Sequence, residues 1–227
     1  MAHRFRLLPL LLLTAAPLGL SSCSGFFVCQ KASCSTSSTS SSANNFAYAA
    51  NSASGTTYIN GYALSSGTLV AATSSPYSIG YIPSAMAVAP GDGFLYVATD
   101  QALSGTGEIL GYSIGTGGAL TALNSGVGLV AENSSAIDIT PDGKWLFSLN
   151  SDGLTLEEYS INTSTGLLTF AANYSITPGT AGAVVTPSMV KVAPSNDFIV
   201  CALGVGGVET FSFNTTTGGA AASSAIN

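Results

Sequence analysis

The sequence predicts an all-β chain assembled from repeated four-stranded antiparallel units. Three observations predict it. An apolar segment led by an aromatic residue returns four times, at Phe46, Phe94, Trp145 and Phe198. Intervals of about fifty residues are typical of propellers, solenoids and other arrays, whose units bury their surface against their neighbours. Each return is followed by the same order of short apolar runs and turns bearing Gly, Asn or Asp. Beyond the N-terminal segment, no stretch carries sustained helical periodicity. Four short strands per unit is the pattern of a β-propeller blade.

The units share one internal order. After the aromatic strands come runs at 59–62, 109–112, 156–159 and 208–211, each ending in Tyr or Phe. Glycine-containing turns follow at 65–67, 115–118, 164–166 and 216–219. The first three units then carry another apolar stretch and a segment ending in proline, at 84–90, 135–141 and 188–194. Tight turns at 91–93, 142–143 and 195–197 close the units, where Gly, Asn and Asp take positive φ at little steric cost. From inner to outer strand, the second unit is expected as 84–90, 94–99, 108–114 and 120–127. The first unit starts at Phe46 without a proline-ended strand before it, and the fourth runs out after Gly219. Residues 46–227 are therefore expected to form about three and a half blades in an open ring, which the remaining blades or a second chain would have to close.

Residues 1–22 read as an export signal. Met1 to Arg6 are basic, and Leu7 to Leu20 are apolar but interrupted by Pro9 and Pro17 and too short to span a bilayer. Leu20, Ser21 and Ser22 ahead of Cys23 resemble a bacterial lipobox. That resemblance implies cleavage before Cys23, acylation of its thiol and amine, and a membrane anchor without a spanning helix. An ordinary secretory signal with a chance cysteine is the alternative. Ser24 resembles the following residue of lipoproteins sent to the outer membrane, so the expected location is the cell envelope. Residues 23–45, rich in Ser and Thr, are expected to be a tether. Cys29 and Cys34 are a candidate local disulfide in an oxidising compartment. Two thiols without a His or a third Cys fall short of a metal ligand set. Cys201, in an apolar strand, reads as an inert buried thiol.

Charge excludes one class of partner. Eleven acidic residues face five Lys and Arg, a net charge of −6, so the chain cannot neutralise many phosphates and nucleic acid is excluded. Only 7 % of residues are charged and the mean hydropathy is +0.44, the opposite of a disordered chain. The four Asn-x-Ser/Thr sequons read as turn chemistry behind a bacterial signal. The glycine-rich run at 204–207 precedes a strand pattern, so it reads as a hairpin loop and not as a phosphate cradle. Glu157 and Glu158 are adjacent in a strand and point to opposite faces. They form no carboxylate dyad, and one is expected to face solvent.

The segments at 141–147 and 160–169, with a second copy at 90–98, resemble the lactonase-type seven-bladed propellers. These are relatives of 6-phosphogluconolactonase and of the fungal muconate-cyclising enzymes. The resemblance implies a lactone hydrolase or cyclase, and in the muconate-cyclising members His, Arg and Glu around the central opening. Here the one His is His3 and the Arg residues are Arg4 and Arg6, all in the export signal, so no catalytic residue transfers. No cofactor or metal is expected. The remaining polar feature is a pair: three residues before Pro141 and Pro194 stand Asp138 and Lys191, where the other unit has Ala87. Equivalent positions on adjacent inner strands would bring the two together beside the channel, as an interblade ion pair or as part of a ligand site. The resulting expectation is a lipid-anchored binding or scaffold module for a protein or carbohydrate, without catalysis of its own. The alternative is a 6-phosphogluconolactonase-like hydrolase of a sugar lactone whose catalytic residues lie in further C-terminal blades.

Overall fold

The computed structural model describes residues 26–28, 45–53, 56–65, 67–100, 106–179 and 182–226. The export signal, Cys23, Cys29 and Cys34 lie outside the described residues. The chain forms four antiparallel sheets in sequence order, with three short 3-10 turns between strands and no longer helix among the described residues. No described helix is long and apolar enough to cross a membrane.

The first sheet runs β1 (Phe26–Val28), β2 (Asn45–Ala53), β3 (Thr56–Ser65) and β4 (Thr68–Ala71), with β5 (Tyr77–Ser78) also on β3. The second runs β6 (Ile82–Val88), β7 (Phe94–Asp100) and β8 (Thr106–Ile114). Its outer position is shared by β9 (Leu120–Ala122) and β10 (Leu129–Glu132). The third is β11 (Ser134–Ile139), β12 (Trp145–Asn150), β13 (Thr155–Ile161) and β14 (Leu168–Ser175). The fourth is β15 (Met189–Val192), β16 (Phe198–Ala202), β17 (Val208–Phe213) and β18 (Ala220–Ile226).

The expected three and a half blades become four. Ala220–Ile226 pairs along the whole of β17 and supplies the outer strand of the fourth sheet. Phe26–Val28, inside the stretch expected to be a tether, pairs with Ala47–Ala49 and supplies the inner strand of the first. The outer strand expected at 120–127 is split, because Asn124 and Ser125 take positive φ in a 3-10 turn that breaks the ladder after Ala122.

Stacking explains the unbroken apolar runs. In β7, Leu95, Tyr96, Val97 and Ala98 are all fully buried. A strand sends alternate side chains to opposite faces, and here both faces are covered. Leu95 and Val97 join a core with Tyr48, Ile59 and Met86 between the first and second sheets. Tyr96 and Ala98 join one with Ile137, Leu146 and Tyr159 between the second and third. Phe147 and Leu149 meet Ile199, Cys201 and Phe211 between the third and fourth. No core cluster among the described residues joins the fourth sheet to the first, so the described sheets form an open arc. The inner strands pack serially, β1 and β2 on β6, β6 on β11 and β11 on β15, and form one wall.

Candidate functional site on the inner strands

The wall carries a repeated residue. Ser84, Ser135 and Ser188 stand at the same distance before Pro90, Pro141 and Pro194, which puts Ser84 in β6, Ser135 in β11 and Ser188 immediately ahead of β15, at equivalent places in three successive blades. They line a concavity of about 240 Å³ together with Met86, Ile137 and Lys191. Ser135 Oγ donates to the Leu149 carbonyl at 3.1 Å. Ser84 Oγ is buried and has no hydrogen-bond partner among the described residues. A buried hydroxyl without a partner costs about 1–3 kcal/mol; the atom is sheltered, and a turn of the Ser84 side chain towards the concavity that the residue lines would let the hydroxyl bond a ligand or water there.

The structure brings Asp138 and Lys191 together at the edge of this wall. Lys191 Nζ lies 3.1 Å from Asp138 Oδ1. The second carboxylate oxygen, Oδ2, accepts the backbone N–H of Val192 at 2.8 Å. Asp138 therefore ties β11 to β15 twice, once through a side chain and once through the backbone. The lysine side chain is 51 % exposed and the aspartate 18 %, which makes this a surface-screened pair with one well-sheltered partner. Lys191 has its ammonium engaged and also lines the concavity.

The expectation that Glu157 or Glu158 faces solvent is corrected. Both are buried, as is Glu209. Each face of the third blade meets a neighbour, so strand alternation hands one carboxylate to each interface. Glu157 Oε2 accepts the Tyr159 hydroxyl at 2.7 Å and lies beside Glu132 of the second blade. Glu158 accepts the Tyr174 hydroxyl and, across the interface, the Gly219 N–H at 3.1 Å. Glu209, which matches Glu157 in the strand register, accepts the Thr177 N–H at 2.7 Å. Burial pushes the Glu157 and Glu209 carboxyls above their ordinary value, against the hydrogen bonds that favour ionisation. These carboxylates hold blades together and do not line the concavity.

The remaining candidates for chemistry are equally engaged. Asp142 and Lys144 sit in the tight turn after β11. Thr140 Oγ1 donates to Asp142 at 2.7 Å, and the Lys144 ammonium lies 3.4 Å from the same carboxylate. Burial acts to raise the Asp142 carboxyl, and the hydrogen bonds from Thr140 and Lys144 outweigh it, so its pKa is lowered. Cys201 is fully buried, and its thiol is pushed up to about 12 by desolvation and the nearby Glu209 charge; it is no nucleophile. The described residues include no His and no Arg. They contain no cluster of three or more His, Cys, Asp and Glu able to hold a metal. What faces the concavity is hydroxyl, thioether and aliphatic, with one partnered cation. Such a surface can bind. It lacks a poised proton donor and acceptor. Sequence reasoning found the ion pair through its register to proline. The same register would have exposed the serines.

Known proteins share this architecture. The family described as "Lactonase, 7-bladed beta-propeller" matches residues 47–226. No curated protein matches the chain. Among solved structures, a putative 6-phosphogluconolactonase from Bacteroides uniformis superposes with a TM-score of 0.62 at 16 % identity, over 78 % of this chain and 50 % of that one. The periplasmic gluconolactonase of Pseudomonas aeruginosa gives a TM-score of 0.62 at 18 % identity, over 80 % and 50 %. A functionally unknown protein from Desulfotomaculum acetoxidans gives 0.60 at 17 %, over 79 % and 51 %. The chain spans about half the length of these structures, and at such identities the likeness is one of fold. The family match extends across all four stacked sheets, and the chain belongs to the lactonase-type seven-bladed β-propeller family.

Proposed function

We propose that this chain is a binding module whose inner-strand wall holds a neutral, hydroxyl-rich ligand of the sugar or sugar-lactone class. The observation that carries the reading is the buried, unpartnered Ser84 Oγ on a concavity lined by two further serines. Hydroxyls exchange hydrogen bonds with hydroxyls, and the methionine and aliphatic side chains suit the C–H faces of a ring. A phosphorylated ligand needs cationic seats, and the lysine at hand is already committed to Asp138. The module is held at the bacterial cell envelope through an acylated Cys23, as the lipobox-like residues suggest.

A second reading is a hydrolase of a sugar lactone. It is favoured by membership of the lactonase family and by the names of two superposed structures, a putative 6-phosphogluconolactonase and a periplasmic gluconolactonase. In that reading the acid–base groups come from outside the described blades. Calorimetric titration of the full chain in detergent with δ-gluconolactone and with 6-phosphogluconate, alongside pH-stat measurement of lactone opening, separates the two. The binding reading expects the neutral ligand to bind more tightly. It also expects lactone opening at the buffer rate, and Ser84→Val to weaken binding about tenfold, the loss of one hydrogen bond. Lactone opening well above the buffer rate would establish the hydrolase reading instead, and preference for the phosphorylated ligand would refute the neutral-ligand reading.

A further inference from the structure

The blades have two unlike ends, and the N-terminal strand marks one of them. At that end the second strand of a blade turns into the third and the chain passes to the next blade. Thr155, after the turn from β12 to β13, pairs with Ser175 at the close of β14. Tyr58 in β3 likewise pairs with Ser78 in β5, just ahead of β6. β1 is entered from this end, because it runs antiparallel to β2 with Phe26 opposite Ala49 and Val28 opposite Ala47. Cys23 precedes Phe26 by three residues, and three residues reach about 10 Å at most. Residues 23–45 therefore cannot act as a long spacer between a lipid on Cys23 and the first blade. Such a lipid would bring this end of the inner-strand wall to a bilayer surface.

The same end exposes apolar side chains. Ile82, at the start of β6, is 48 % exposed, Leu154 in the turn from β12 to β13 is 47 % exposed, and Val184 in the passage from β14 to β15 is 78 % exposed. The turn and the passage are locked together. Leu154 O accepts the Ile176 N–H at 2.9 Å, and a Cβ built on Gly153 would collide with Val185. Val185 thus packs on the turn, while Val184 beside it stands in the open. Ile82 lies between the first two blades and the other two residues between the third and fourth, so their exposure does not depend on any further blade. Half-buried Tyr58 and Tyr81 share a cleft of about 470 Å³ with Ile82, and amphipathic rings of this kind favour the boundary between bilayer and water. Val130 and Phe170 are also exposed, but on outer strands.

We infer that the end of the blades bearing Ile82, Leu154 and Val184 lies flat against a lipid bilayer, with these side chains entering the headgroup boundary. The inference rests on the acylation of Cys23 proposed above, and adds which face of the protein the lipid holds down. The short link from Cys23 to β1 selects a lipid surface over a protein partner. Charge selects the kind of lipid. The described residues hold all eleven acidic residues and two of the five cations, Lys144 and Lys191. Lys144 is engaged by Asp142 in a turn at the opposite end, and Lys191 by Asp138. Asp152, two residues before Leu154, is exposed. Attraction to anionic headgroups needs juxtamembrane cations, so the contact is apolar and suits a zwitterionic surface.

Tryptophan fluorescence of the full chain, processed in cells and reconstituted into phosphatidylcholine vesicles, tests this. The sole tryptophan is first removed by Trp145→Phe, which copies Phe94 at the equivalent place of the second blade. Val184→Trp and Leu154→Trp then report from the proposed face, and Thr163→Trp from an exposed hairpin at the other end. Phosphatidylcholine brominated near its headgroup should quench the Val184→Trp and Leu154→Trp signals and leave that of Thr163→Trp unchanged. Quenching at Thr163→Trp instead, or at none of the three, would overturn the inference. So would a Val184→Trp signal shielded from both brominated lipid and aqueous acrylamide, which would mean that a protein covers the face. The mass of the N-terminal peptide separates this inference from the anchor. An acylated chain without quenching at Val184→Trp and Leu154→Trp overturns the orientation and leaves the anchor standing. A chain without acyl groups refutes the anchor, and its quenching when mixed with the same vesicles then decides the face.

Discussion

Asp138 and Lys191 form one ion pair, yet removing either partner should have very different consequences. Lys191 is 51 % exposed and contributes a screened contact at 3.1 Å. Pairs of this kind are worth at most about 1 kcal/mol. Lys191→Met, which keeps the apolar stem, should therefore lower stability by less than about 1 kcal/mol. Asp138 additionally accepts the Val192 N–H at 2.8 Å, a hydrogen bond to a charged group worth about 1.5–3 kcal/mol. Asp138→Ala strands that backbone donor between two blades and should cost about 2–3 kcal/mol. At about 2–4 °C per kcal/mol for a domain of this size, the aspartate variant should melt roughly 5–10 °C below the parent. The lysine variant should stay within about 3 °C of it. Urea unfolding of both singles and the double variant gives the coupling, which should be below about 1 kcal/mol. Equal costs for the two single variants would refute the reasoning, because they would place the energy in the ion pair and not in the backbone tie.

Three further outcomes follow from the same geometry. Gly166→Ala should destabilise more than Gly80→Ala: both positions have positive φ, but only at Gly166 would the methyl group strike Phe94 and Leu123; chemical unfolding of the two variants reads the difference. Burial raises the folded-state pKa of Glu157 and Glu209, so the folded state binds more protons above the ordinary carboxylate pKa. Their contribution is then most favourable below that pKa and is lost as pH rises through the folded value. Glu209→Gln should flatten that part of the stability–pH curve measured by urea midpoints; an unchanged curve contradicts the assignment. Cys23→Ser should move the protein out of the membrane fraction or block its processing, as fractionation of expressing cells would show, whereas an unmodified variant that matures and stays membrane-bound contradicts the anchor.

The sequence makes the repeat visible because stacked blades leave few ways to fill the second strand. Phe94–Asp100 and Trp145–Asn150 are apolar on both faces, so their runs stand out between glycine and aspartate turns. The strands that escaped notice are those with weak local signals. Phe26–Val28 has three residues and stands far in sequence from the strand it pairs with. Ala220–Ile226 is rich in alanine and serine, residues with little β-preference, and is held by its pairing with β17. The interblade carboxylates were misjudged for a physical reason. Strand alternation implies one solvent face only when one face of a sheet is open, and in the third blade neither is. Register relative to proline located Asp138 and Lys191, since equivalent inner-strand positions of neighbouring blades must be adjacent. The same register places Ser84, Ser135 and Ser188 side by side, but serine carries no charge to draw attention. The packing of Phe94 against Gly166 across neighbouring blades was hidden for another reason. Its two halves are about seventy residues apart, a distance that has meaning only once blades stack.

The most direct test of the account is a crystal of this chain grown with δ-gluconolactone or a neutral sugar at saturating concentration. The account predicts the ligand in the inner-strand concavity, with a ligand hydroxyl within hydrogen-bond distance of Ser84 Oγ and the Asp138–Lys191 contact intact. A ligand seated elsewhere, or one that displaces Asp138 to take the Lys191 ammonium, would contradict it.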